Sequence, residues 1–300
     1  MRPSIIQFSL EVMGMKKAME KNIVNNSFSK EAATLPASMY RKLDIQTHEI
    51  GFTGAGVEIT RNVWTLSPKS ALSSPVVLFL HGGAYYANIT RMHWRLIEQL
   101  ALSTGARFIV PDYPLAPEQS CIDAYQFMDQ VYAQLLADYP TADIVLMGDS
   151  AGSGLALGYA QKLYMESIRQ PSRIILLSPW LDVSMTNPDL THYEHRDKIL
   201  SIDGLKIAGK AWAGEADVTD YRVSPLYGSF RLPGKISIFT GTNDLLVADA
   251  RKLKHILEER QIAFDYFEYP EMFHDWVLIG QLQETKETIA TIKKIITFVN

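Results

Sequence analysis

The stretch "IVLMGDSAGSG", residues 144–154, runs four apolar side chains straight into a cluster of small residues with two serines among them. Ile144, Val145, Leu146 and Met147 read as a short strand buried on both faces, and Gly148 marks its end. Gly148, Asp149, Ser150, Ala151 and Gly152 then fit the pattern G-x-S-x-G. In that pattern a strained strand-to-helix turn lifts a serine hydroxyl above a sheet, and small neighbours let the adjacent backbones approach. A helix starting at Ser150 would aim its free amides and positive dipole end at the place where a reacting oxygen turns negative. Taken alone, the same five residues also describe an ordinary glycine loop.

Outward from this stretch, short apolar runs recur: "PVVLFL" at 75–80, "ARFIV" at 106–110, "DIVLM" at 143–147, "RIILL" at 173–177, "KISIF" at 235–239 and "FDYFEY" at 264–269. Helical segments separate them, which predicts an α/β fold built of right-handed crossovers, a mostly parallel sheet with helices on both faces. Upstream, "THEIGFTGAGVEITRNVWTL" alternates around Gly54 and Gly56 and predicts an antiparallel hairpin. The gap from Trp180 to Lys235 exceeds one crossover helix, so an insertion at about 181–232 is expected over the carboxyl ends of the strands. Residues 1–45 read as helical and mixed, with Ile6, Leu10 and Met13 near one helical face, a stripe of the kind that packs on a core. Residues 46–300 then form the main domain, closed by a helix bearing Ile289, Ile292, Ile296 and Val299.

Composition narrows the function classes. With 47% hydrophobic and 21% charged side chains in 300 residues, the chain can bury a full core. A net charge of −4 without a long basic run leaves no electrostatic footprint for nucleic acid. The one cysteine, Cys121, cannot form an internal disulfide, which suits a reducing cytoplasm. The first fifteen residues make a poor secretory signal and are too short to span a membrane, so no stable membrane insertion is expected.

A serine nucleophile needs a base, an acid to orient that base, and donors for an oxyanion. "KISIFTGTNDLLVADA" places Asp244 in the loop after one strand, and "FDYFEYPEMFHDW" places His274 in the loop after the next. Serine, acid and histidine then stand in the expected order on one edge of the sheet. Asp249 falls inside the following helix, where a structural role is expected, and Asp275 is too close in sequence to His274 to reach its Nδ1. His48 and His255 read as surface or packing positions, and His93 lies in a helix. "HYEHRD", with His192, Glu194, His195 and Asp197, reads as a solvated loop ahead of a metal site, since no cysteine or third histidine accompanies it. "LFLHGGAYY" follows the first parallel strand, and its Gly82 and Gly83, with Ala151, are candidate oxyanion donors. Tyr85, Tyr86 and Trp180, with Met185, are the candidate apolar substrate pocket.

The blocks "HGGAY", "DYPLAPE", "GDSAGSG" and "GTNDLLVADA" followed by "FHDW" resemble the hormone-sensitive-lipase-like family of α/β-hydrolase esterases. The resemblance runs from about residue 60 to the carboxyl terminus and keeps the family's order. It implies an eight-stranded sheet with a helical cap built from residues 1–45 and the insertion at about 181–232, no metal or organic cofactor, and hydrolysis of short- to medium-chain carboxylic esters. It also implies the roles of Ser150 as nucleophile, His274 as base and Asp244 as acid, with Asp112 and Tyr113 bracing the oxyanion loop, and a homodimer formed through the last strand. The chain departs from the family at Ala84, Leu245, Asp275 and Trp276, which leaves the shape of the acyl pocket open. Two other readings of the same residues are a small-molecule binding protein on this fold, and an acyltransferase or amidase.

Overall fold

The computed structural model describes residues 15–54, 56–69 and 75–297. The stripe expected at Ile6, Leu10 and Met13 lies outside these residues. A first helix, α1 (Met15–Val24), and a single turn, α2 (Met39–Lys42), precede the hairpin of β1 (Leu43–Gly54) and β2 (Val57–Pro68). Alternation follows: β3 (Val76–Leu80), α3 (Arg91–Thr104), β4 (Arg107–Pro111), α4 (Cys121–Asp138), β5 (Ile144–Asp149), α5 (Ser150–Met165) and β6 (Arg173–Leu177). Two short helices, α6 (Leu190–Glu194) and α7 (Ile202–Ala213), occupy the long connection to β7 (Lys235–Gly241). The chain closes with α8 (Val247–Glu259), β8 (Phe264–Tyr269) and α9 (Gln283–Thr297).

The eight strands form one sheet in the order β1-β2-β4-β3-β5-β6-β7-β8. β1, β2 and β4 pair antiparallel, and every pair from β4 through β3 to β8 is parallel. Side chains of a strand point alternately to its two faces, and here both faces are covered. Val76, Leu78 and Leu80 of β3 and Ile144 and Leu146 of β5 join one core with Leu155 and Leu163 of α5 and Leu253 of α8. Their neighbours Val77, Phe79, Val145 and Met147 join a second core with Trp94 and Ile97 of α3 and Ile292 and Ile296 of α9. Burial on both faces is why these strands read as unbroken apolar runs.

The crossovers carry every loop after a parallel strand to one edge of the sheet. Over that edge lie α1 and the segment between β6 and β7. The backbone amide of Lys16 donates to Lys198 O at 3.2 Å, and its Nζ donates to Glu194 O at 2.8 Å. Ile23 of α1 shares a core with Leu205 of α7. Among the described residues no helix is long and apolar enough to cross a membrane.

Candidate active site

Steric demands of the backbone shape the turn between β5 and α5. A Cβ on Gly148 would collide with the backbone of Gly152, and one on Gly152 would collide with the carbonyls of Leu80 and His81. Glycine at both places lets α5 start within van der Waals distance of β3. Ser150 opens α5 with a positive φ of 49°, a conformation that non-glycine residues adopt at an energetic cost. Its carbonyl accepts from Trp180 N at 3.1 Å, which ties the turn to the end of β6.

The loops after β7 and β8 complete the arrangement. His274 Nε2 lies 2.9 Å from Ser150 Oγ, and Nδ1 lies 3.1 Å from both carboxylate oxygens of Asp244. Asp244 is fully buried and its Oδ1 also accepts from Leu246 N at 2.8 Å. An ionised Asp244 requires the proton on Nδ1, leaving the Nε2 lone pair for the serine hydroxyl. The structure thus brings Ser150, Asp244 and His274 into one hydrogen-bonded line.

The loop after β3 stands beside the serine. Gly83, with φ 123°, lines one cavity with Ser150, and Gly82 is packed so closely that a Cβ there would lie 3.0 Å from the Ser150 Cβ. Tyr113 donates its hydroxyl to His81 O at 2.6 Å and stacks on the His81 ring, while Asn88 donates to Asp112 at 2.6 Å. These contacts brace the glycine loop from behind. Burial pushes His81 down to about 3, so its ring is neutral.

Ser150, His274 and Asp275 open onto a cavity of about 320 Å³ walled by Ala18 and Met19 of α1, Phe28, Met92, Leu200 and Leu278. Tyr85, Tyr86 and Trp180 are absent from this wall. Tyr85 stacks on Trp212 at 3.9 Å between ring centres and on Trp180 at 5.5 Å, and the Trp180 indole donates to the Met185 sulfur. Their rings fill the core under the insertion, and the apolar wall comes from α1 and from Leu200 instead.

Three carboxylates surround the line of three, Asp149 and Asp197 buried and Asp275 at the cavity wall, and the residue pattern assigned none of them a place there. Asp197, in the stretch read as a solvated loop, is buried: its Oδ2 accepts from Leu245 N at 2.7 Å, and its Oδ1 accepts from Ile199 N and Leu200 N. Burial, then the charge of Asp244, raises Asp197 above the usual carboxylate range. Asp149 Oδ2 lies 3.1 Å from His93 Nε2, and His93 Nδ1 accepts from Thr90 N, so Nε2 carries the proton that points at Asp149. Asp275 leaves Nδ1 of His274 to Asp244, as sequence adjacency requires, and places its Oδ2 3.1 Å from Nε2. Asp249, inside α8, accepts from Asn187 Nδ2 at 2.8 Å. His48 and His255 are exposed, and His192 and His195 approach no group that could hold a metal among the described residues.

Comparison with known proteins gives the same fold and chemistry. Residues 77–278 match a family described as having the alpha/beta hydrolase fold. An esterase of Acinetobacter venetianus is 29% identical over 230 residues, covering 76% of each chain. The provisionally named acetyl-hydrolase LipR of Mycobacterium tuberculosis is 30% identical over 240 residues, covering 79% of this chain and 76% of that one. The crystal structure of an esterase from the bacterial hormone-sensitive lipase family superposes with a TM-score of 0.75 at 25% identity, covering 94% of this chain and 89% of that one.

Proposed function

The chain belongs to the α/β-hydrolase-fold family as a serine esterase of the hormone-sensitive-lipase-like kind, and on that premise we propose that it cleaves short- to medium-chain esters through an acyl-enzyme on Ser150. The observation that carries this reading is the line from Ser150 Oγ through His274 to Asp244, at 2.9 and 3.1 Å, opening into an apolar cavity. His274 takes the hydroxyl proton as Oγ attacks the ester carbonyl, and Asp244 stabilises the imidazolium that forms. The amides of Gly82, Gly83 and Ala151 receive the oxyanion, the last with the help of the α5 dipole. His274 then protonates the departing alcohol, and water repeats the attack on the acyl-enzyme.

The cavity, at about 320 Å³, lies at the lower end of small-molecule pockets, which supports short and medium acyl chains over long ones. On this reading residues 1–45 and 181–232 act as a cap over the main domain. Cys121, buried, supports a reducing compartment such as the cytoplasm. The free edge of β8 at the end of the sheet supports pairing of two copies through that strand.

The test is hydrolysis of p-nitrophenyl esters from acetate to palmitate by wild type and Ser150→Ala. Rates should peak at short or medium chains and fall on the order of 10⁵-fold in the variant. Activity that survives Ser150→Ala would remove the nucleophile. A folded wild type that neither turns over esters nor reacts with a serine-directed phosphonate would point to a binding protein, and ester product formed with a competing alcohol would point to acyl transfer.

A further inference from the structure

Nε2 of His274 has two neighbours, Ser150 Oγ at 2.9 Å and Asp275 Oδ2 at 3.1 Å. An imidazole nitrogen presents either one hydrogen or one lone pair. With the lone pair there, the nitrogen accepts from the serine, but an ionised carboxylate oxygen at that range faces it with lone pairs of its own. Both contacts are favourable together only when a proton sits between His274 and Asp275, and a base whose Nε2 is already protonated cannot take the proton of Ser150. Asp275 is held in this place by its backbone, left-handed at φ 52° and ψ 35°, whose N–H donates to Ser178 Oγ at 3.1 Å. Its second oxygen, Oδ1, is buried and accepts no hydrogen bond.

We propose that Asp275 is a positioning residue that keeps a proton on the base, so that the esterase is idle at acidic pH and opens only as the His274–Asp275 pair gives that proton up. The inference rests on the reading of His274 as the base of Ser150. The groups facing the pair strengthen the effect: Asp244 from the loop after β7, Asp149 from the end of β5, and Asp197 from the insertion are all carboxylates. From α3 comes His93, whose Nε2–H is committed to Asp149, and from the loop after β3 comes His81, which is neutral. Burial by itself would push His274 down, but the charges of Asp275 and then Asp244 outweigh it and hold the imidazole well above its ordinary range. Burial likewise lifts Asp275 to about 6, against the pull of His274. A raised base is protonated over more of the pH scale, so the acid limb of kcat/KM moves toward alkaline pH.

The experiment is kcat/KM for ethyl butyrate by pH-stat from pH 5 to 10, for wild type, Asp275→Asn, Asp275→Gly and Ser150→Ala. Asparagine and glycine both tolerate the left-handed backbone at this position. The wild-type acid limb should have its midpoint above about 7.5, against about 6.5 for an ordinary histidine. Both Asp275 variants should move it down by roughly one unit or more, a gain of about tenfold at pH 6 relative to wild type. NMR titration of the His274 ring in wild type and Asp275→Asn should show the same downward shift without reference to turnover. A wild-type midpoint at or below about 6.5, or variants whose limb and ring titration stay where wild type has them, overturns the proposal. Ser150→Ala separates the two levels: if it stays active the base assignment itself fails, and if it is inactive while the limb is unmoved only the role of Asp275 fails.

Discussion

The turn at Ser150 and the segment between β6 and β7 both sit over the same edge of the sheet, yet they are held there by opposite means. The turn is fixed by what is missing. Gly148 and Gly152 have no side chains because backbone occupies the space, and no rearrangement of a flexible side chain could make room. The insertion is fixed by what is added: carboxylates sunk among apolar residues, each accepting hydrogen bonds that water would otherwise supply. Within it Asp182 accepts from Ser184 and Tyr227 and Asp197 from three backbone amides, while Asp249 of α8 accepts from Asn187 of the insertion. Hard-core overlap rises steeply, whereas exchange of a buried hydrogen bond is a matter of about 1–3 kcal/mol. The first region should therefore fail all at once, and the second by degrees.

Gly152→Ala should break the comparison most visibly. The new methyl meets the carbonyl oxygens of Leu80 and His81, which are backbone and cannot swing aside, so a loss above about 4 kcal/mol is expected. Insoluble protein, or a urea midpoint far below wild type with no esterase activity, is the expected outcome, and a stable active variant would mean that α5 can slide. Asp197→Asn is the intermediate case. One of three accepted amide bonds is replaced by a facing N–H, so about 1–3 kcal/mol should be lost in urea unfolding. Turnover should also fall by roughly tenfold, because Leu245 adjoins Asp244 and a shift of that loop misaligns His274.

Asp249→Asn comes last because its effect is on stability alone, and it has the opposite sign. Burial raises Asp249 to about 6, and its Oδ2 has no hydrogen-bond partner, so its charged form is disfavoured in the folded state. The folded protein then binds more protons than the unfolded chain between about pH 4 and 6, and wild-type stability falls as pH rises through that window. Asparagine removes the titration. The variant should match wild type near pH 4 and exceed it by on the order of 1–3 kcal/mol at pH 7, read from unfolding curves at the two pH values. Equal stability at both would show that Asp249 is charged at no cost.

The same contrast explains what could be read from residues alone. β6 and β8 span the residues expected of them, and β5 runs two residues further, to Asp149, because Gly148 continues the ladder with Leu80 and Leu176. The meeting of Ser150, Asp244 and His274 was legible because chain order and strand-end position are linear properties that sequence displays directly. The pocket wall was not. Tyr85 follows the glycine loop closely, but whether its ring turns to the cavity or to Trp212 depends on the path of α7, which no local pattern encodes. Asp197 and Asp275 escaped for a related reason: the partners of Asp197 are backbone amides and that of Asp275 is the far nitrogen of its own neighbour, and neither carries a residue-type signature.

The wall contributed by α1 has a thermodynamic consequence. A ten-residue helix is marginal by itself in water, so α1 is a helix because it is docked, through Ile23 and the bonds from Lys16 to residues 194 and 198. Since Ala18 and Met19 form part of the wall beside Ser150, the cavity is complete only in molecules where the helix is in place. Measured substrate affinity is then the intrinsic affinity scaled by the docked fraction, and substrate shifts the docking equilibrium by the same factor. Binding strength in this protein is thus partly a property of a helix that never touches the bond being broken.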